Sequence, residues 1–180
     1  MAIEPAVKYA MAFFDGQNLF QHAKDAFGHF HPNYDPLKLH HAVCAANGWT
    51  PNLVRFYTGV PDAAHEPMWA PTWSNRILAM KRAGIVTTTR PIRYRTEDVE
   101  IGGVKQIVTT PQEKGIDVRI ALDIVSCALS GQFNVAVVFS QDQDLSEVVS
   151  EIRKISEKED RWLKVACAFP DGPKASSRRG

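Results

Sequence analysis

The chain has little cysteine, almost no net charge and no long apolar run. Its three cysteines, Cys44, Cys127 and Cys167, are widely spaced and odd in number. None belongs to a C-x-x-C pair or has a histidine at zinc-ligand spacing, which argues against a structural zinc site. Each sits in an apolar stretch, so all three read as buried free thiols of a reducing compartment, with the cytoplasm as the expected location. No apolar run approaches the roughly 20 residues needed to cross a bilayer. Met1 to Lys8 lacks the basic-then-apolar order of a secretory leader. With 21 Lys and Arg against 20 Asp and Glu, the net charge is +1. Composition therefore gives no general case for nucleic-acid binding. At 180 residues, 44% apolar and 23% charged, the chain fits one soluble domain with a real core.

The order of apolar runs indicates strands alternating with helices. Tyr9 to Phe14 and Asn134 to Ser140 read as buried strands, and Asn52 to Thr58 and Leu163 to Phe169 also have strand character. Helices are expected over Asn18 to Ala26, from Asp35-Pro36 to Asn47-Gly48, over Met68 to Ala83, over Asp117 to Ser130 and over Leu145 to Ile155. In the third, Trp69, Trp73, Ile77 and Met80 recur at helical spacing; in the fourth, Val118, Ala121, Leu122 and Val125 share a face. Between them Ile85 to Thr89 is extended, and residues 90–110 read as a β-hairpin excursion turning at Gly102-Gly103. This pattern predicts an α/β sandwich around a central, mostly parallel sheet. Residues 1–169 form the expected single domain, and residues 170–180 a basic, disordered tail.

Ligands of such sheets bind beyond the carboxyl ends of the strands, where two acidic signals fall. Asp15 follows the first strand within Phe14-Asp15-Gly16-Gln17-Asn18, and Asp142 and Asp144 follow another within Ser140-Gln141-Asp142-Gln143-Asp144. Three carboxylates brought together repel, so either some are protonated or a cation neutralises them. Oxygen ligands without cysteine or histidine favour Mg²⁺ or Mn²⁺. Asn18 is placed to add a carbonyl ligand or to hold Asp15, and Gly16 to allow the tight turn. Alone, S-x-D-x-D is as readily a helix cap and D-G-x-N a turn.

The segments FDGQNL (Phe14–Leu19), EKGIDVRIALDIV (Glu113–Val125) and VVFSQDQDLSEVV (Val137–Val149), taken in order, resemble the NYN domains, PIN-like ribonucleases, and their LabA-like branch in particular. The resemblance covers about Tyr9 to Phe169. It implies a PIN-like three-layer α/β/α fold and Mg²⁺- or Mn²⁺-dependent cleavage of RNA, with RNA as partner and pairing of two copies left open. Under it, Asp15, Asn18, Asp142 and Asp144 match site positions, and Asp117 joins them, an aspartate that spacing alone would leave as a helix-start acid. Gln141 stands where the family often has glycine. Family members also continue past the last strand with another helix, so the sequence is either cut short or lacks it.

Metal-assisted phosphodiester hydrolysis then assigns Asp15 and Asp142 as principal ligands, with Asp117 and Asp144 acting through water or as base. Asp123, six residues after Asp117, lies roughly 240° round the helix and is a supporting residue, as are Ser140 and Lys114. Arg90, Arg93, Arg95 and Lys105 on the hairpin, with Arg55, are expected to track backbone phosphates, and Tyr94 to stack on bases. His22, His29, His31, His40 and His41 read as surface residues. The competing reading is a non-catalytic RNA-binding or regulatory module that keeps the acidic pocket. A phosphatase is disfavoured because Asp15-Gly16-Gln17-Asn18 lacks the second aspartate of its D-x-D loop. A topoisomerase-primase domain is disfavoured because no glutamate follows Phe14.

Overall fold

Two apolar runs that dip below the surface on both faces organise the molecule. The computed structural model describes residues 2–102 and 104–172. Strand β1 (Tyr9–Asp15) leads into α1 (Gly16–Phe27) and α2 (Pro36–Asn47), followed by β2 (Thr50–Val60), α3 (Trp69–Arg82) and β3 (Val86–Pro91). A hairpin of β4 (Arg93–Ile101) and β5 (Val104–Gln112) intervenes before α4 (Ile116–Leu129) and β6 (Val135–Phe139). A 3₁₀ turn over Gln143–Leu145, then α5 (Ser146–Lys158) and β7 (Lys164–Cys167), completes the order.

The five-stranded sheet has the order β3-β2-β1-β6-β7, and every neighbouring pair is parallel. Parallel strands need helical crossovers that cover both faces, which is why β1 and β6 are apolar nearly throughout rather than alternating. Met11, Phe13, Ala136 and Val138 pack under α4 and α5. Ala10, Ala12, Phe14, Val135 and Val137 pack on the opposite face, where α1, α2 and α3 supply Leu19, Cys44 and Met80. Phe14 and Phe139, side by side in the β1–β6 register, stack with centroids 3.9 Å apart. The sandwich is the expected three-layer α/β/α arrangement, with the hairpin as a separate two-stranded sheet. Among the described residues, no helix is long and apolar enough to cross a membrane.

Several expectations are corrected. The buried face of α4 is Ile116, Ile120, Asp123, Ile124 and Cys127, whereas Val118 and Leu122 are 58% and 59% exposed. The helix is apolar on both sides, and the inward-facing aspartate disguises the true seam. Trp69 opens α3 yet is 46% exposed, facing a groove instead of the core. His40 is fully buried and donates Nε2–H to the Ala10 carbonyl at 3.0 Å, and burial lowers its pKa. Cys44 and Cys127 are buried, but Cys167 is exposed. At the end of the described chain, Pro170 and Asp171 line a pocket together with Ala23 and Phe27 of α1, and a Cβ on Gly172 would fall 2.5 Å from the Ala26 carbonyl oxygen. Residues 173–180, with Lys174, Arg178 and Arg179, lie outside the described residues.

Candidate acidic active site

The sheet order reverses at β1. From β1 the chain runs outward to β2 and β3, whereas β6 and β7 build the other side. A crevice must open where those two paths diverge, beyond the carboxyl ends of β1 and β6. Asp15 is the last residue of β1 and Ser140 follows β6.

Hydrogen bonds fasten the two ends together. Asp15 caps α1, its Oδ1 accepting the Asn18 backbone N–H at 3.1 Å. The Asn18 side-chain oxygen in turn accepts the Gln141 N–H at 2.8 Å. Buried Ser140 donates its hydroxyl to Asp15 Oδ2 at 3.4 Å and accepts the Asp142 N–H at 3.1 Å. Asp142 caps the 3₁₀ turn, its Oδ1 accepting the Asp144 N–H at 3.0 Å. The capping expected of such segments is thus present, since one oxygen of each aspartate holds a turn. The Asn18 side-chain oxygen is engaged at the loop after β6, so this residue positions backbone.

Gly16 is required by a close approach. A Cβ there would lie 2.7 Å from the Phe56 ring and 2.9 Å from the Tyr57 carbonyl oxygen. Its φ is not positive, unlike that of Gly115 (φ 74°) at the start of α4. Gly115 in that left-handed conformation turns the chain from the hairpin into α4 and brings Asp117 into the first turn.

Asp15, Asp117 and Asp142 line one cleft of about 900 Å³, together with Asn18 and Lys114. Burial raises the pKa of Asp15, and the charges of Asp142 and Asp117 push it the same way against the Asn18 and Ser140 hydrogen bonds. Asp144 is exposed on the turn and does not line the cleft. Asp123 is elsewhere. Its buried carboxylate accepts from Arg55 Nη1 at 3.2 Å, Tyr57 Oη at 2.9 Å and Arg119 Nη2 at 2.7 Å.

Sequence reasoning missed Glu113, which opens the E-K-G-I-D segment. It lines the cleft, and among the described residues its buried Oε1 has no hydrogen-bond partner. Burial, then the charges of Asp15 and Asp117, push its carboxyl up to about 7, opposed by the nearby Gly59 backbone N–H. The available signal was its position four residues before Asp117, on a segment that must fold back over the sheet.

An acid-lined crevice at a parallel-sheet switch point agrees with what the comparison with family models finds: the NYN domain matches residues 9–159. The chain belongs to the NYN family. NYN domains are PIN-like, nuclease-type domains, and the matched span includes every acid of the cleft. No curated protein matches the chain.

In this NYN domain the basic residues expected to track phosphates do not line one surface. Arg55 is tied to Asp123. Arg93 and Arg95 share one face of the hairpin, while the register puts Lys105 on the other. Arg95 Nε pairs with Glu97 at 2.7 Å, and Tyr94 stacks on His65 with centroids 3.8 Å apart. Residues 93–112 hold three basic and three acidic side chains, so the hairpin carries no surplus of positive charge. Arg90 is exposed at the end of β3, near Gly115.

The donor set of the NYN cleft is all oxygen and mutually repulsive, which suits a hard divalent cation. Among the described residues, no three His, Cys, Asp or Glu side chains are gathered closely enough to hold one metal ion. The fit rests on donor chemistry and on the buried, unpartnered oxygen of Glu113.

Proposed function

We propose that this NYN domain is a Mg²⁺- or Mn²⁺-dependent ribonuclease of the cytoplasm that hydrolyses RNA phosphodiester bonds in the cleft between β1 and β6. The observation that carries this reading is the meeting of Asp15, Asp117 and Asp142 in one cleft of a nuclease-type family. Asp15 and Asp142 are the side chains that would hold the cation, with Asp117 beside them; Asp144, on the exposed turn, would reach it only through water. A divalent ion bound there supplies positive charge to the phosphate and lowers the pKa of a water molecule. The chain's own residues orient and titrate. Ser140 fixes Asp15, Asn18 fixes the loop carrying Asp142, and Glu113, half-ionised near neutral pH, is suited to take or return a proton. Lys114 lines the cleft and offers a cation to the phosphate.

The second reading, an RNA-binding module without catalysis, is favoured by the separation of the acids from any three-donor metal group. The test is cleavage of single-stranded and structured RNA in Mg²⁺ or Mn²⁺, with folding checked by circular dichroism. Asp15→Asn and Asp142→Asn are each expected to abolish cleavage. If both cut as well as wild type, the assigned site is wrong; if wild type binds RNA but never cuts it, the second reading replaces the first.

A further inference from the structure

A second groove, of about 670 Å³, runs between α1 and α3. Gln17, Trp69 and Trp73 line both it and the acidic cleft, so the two cavities share a wall. We propose that this groove is a base-stacking channel that holds an unpaired RNA strand as it enters the acidic cleft, an inference that rests on the ribonuclease reading.

The groove is built from rings. Phe20, Phe30 and His31 contribute from α1 and the segment after it, and Trp69 and Trp73 from the first turns of α3. Phe30 is 84% and Trp69 46% exposed. One exposed ring is ordinary on a protein surface, but here three exposed rings, Phe30, His31 and Trp69, line one groove with half-buried Phe20 and Trp73. His31 and Trp69 are 5.5 Å apart and tilted by 53°, so neither ring is covered face to face by the other.

Charge separates the two cavities. Lys24 and Arg76 line the groove, and among the described residues no aspartate or glutamate does. The cleft holds Asp15, Glu66, Glu113, Asp117 and Asp142. Arg76 is held in place over the rings of Trp73 and Tyr34, at 5.5 and 5.7 Å. A single strand matches this pattern, with bases on aromatic faces and phosphates on cations. A paired duplex hides its base faces and does not. The hairpin, with its balanced charges, offers no comparable surface.

The test is fluorescence anisotropy with a 5′-labelled 12-nucleotide single-stranded RNA and the full chain in EDTA, which blocks metal-dependent cleavage. Phe30→Ala and Trp69→Ala are each expected to weaken binding about 5- to 150-fold, equivalent to roughly 1–3 kcal/mol per stacked base. Trp69→Phe keeps a ring and is expected to keep most of the affinity. A blunt duplex of the same length is expected to bind at least ten-fold more weakly. Wild-type affinity in both alanine variants overturns the proposal, as does equal binding of the duplex. A larger loss in Arg93→Ala than in either ring variant returns the strand to the hairpin and also overturns it. If the ring variants lose self-association in sedimentation but keep RNA affinity, the groove belongs to a second copy of the chain and the proposal fails.

The two readings fail separately. Ring-dependent binding without any cleavage in Mg²⁺ or Mn²⁺ removes the ribonuclease and leaves the channel. Asp15-dependent cleavage with ring-independent binding does the reverse.

Discussion

The carboxyl group of Glu113 lies over Gly59, so close that a Cβ on Gly59 would stand 3.1 Å from Glu113 Oε1. That oxygen is buried without a hydrogen-bond partner among the described residues, and burial leads the causes that raise the group to about 7 from 4.5. Between those two values the folded chain holds a proton that the unfolded chain has released. Stability from this group is therefore fully present below about pH 4.5 and is lost as pH rises through about 7. Glu113→Gln, neutral throughout, is expected to raise the urea midpoint above that of wild type at pH 8 and to leave it unchanged at pH 4.5. Equal midpoints at pH 8 would show that the carboxyl is better solvated than its surroundings indicate. Added Mg²⁺ is expected to narrow the gap at pH 8, because a cation in the cleft stabilises the ionised acids.

Gly16→Ala tests how tightly Asp15 is framed. The new methyl would meet the Phe56 ring and the Tyr57 carbonyl, both buried parts of β2 that have little room to retreat. Overpacking of this kind costs about 1–3 kcal/mol. The expected result is a lower denaturation midpoint together with reduced RNA cleavage, since α1 can move away from β2 only by moving Asp15. A variant as stable and active as wild type would show that the turn yields freely.

Asp123→Ala separates scaffold from chemistry. It leaves Arg55 and the Tyr57 hydroxyl without their shared carboxylate. Removing one partner of a buried ion pair costs about 3 kcal/mol or more. Urea denaturation is expected to show that loss, while cleavage per folded molecule at low temperature stays near wild type. A selective loss of activity with stability intact would place Asp123 in the site after all.

Strand ends were legible because a buried parallel strand is a continuous apolar run, so its first polar residue marks where it surfaces. Asp15 was readable for that reason, Asp142 because it lies two residues past Ser140, the first polar residue after β6, and the structure brings both to one cleft. The inward turn of Asp123 was hidden, because it depends on Arg55 and Tyr57, 68 and 66 residues away. His40 was hidden likewise, since its burial is made acceptable by a carbonyl 30 residues earlier. Glu113 needed the Gly59 backbone beneath it, and Trp69 shows that helical spacing defines a face without saying what covers it.

The bond from the Gln141 N–H to Asn18 joins residues 123 positions apart, and β1 sits between the second strand made and the second to last. A nascent chain exposes Asp15 early but has no Asp142 to set beside it until β6 has emerged and docked. The two aspartates at the β1–β6 seam come from the ends of the first and the second-to-last strands of the chain, so the acidic cleft is complete only once nearly the whole domain has been made.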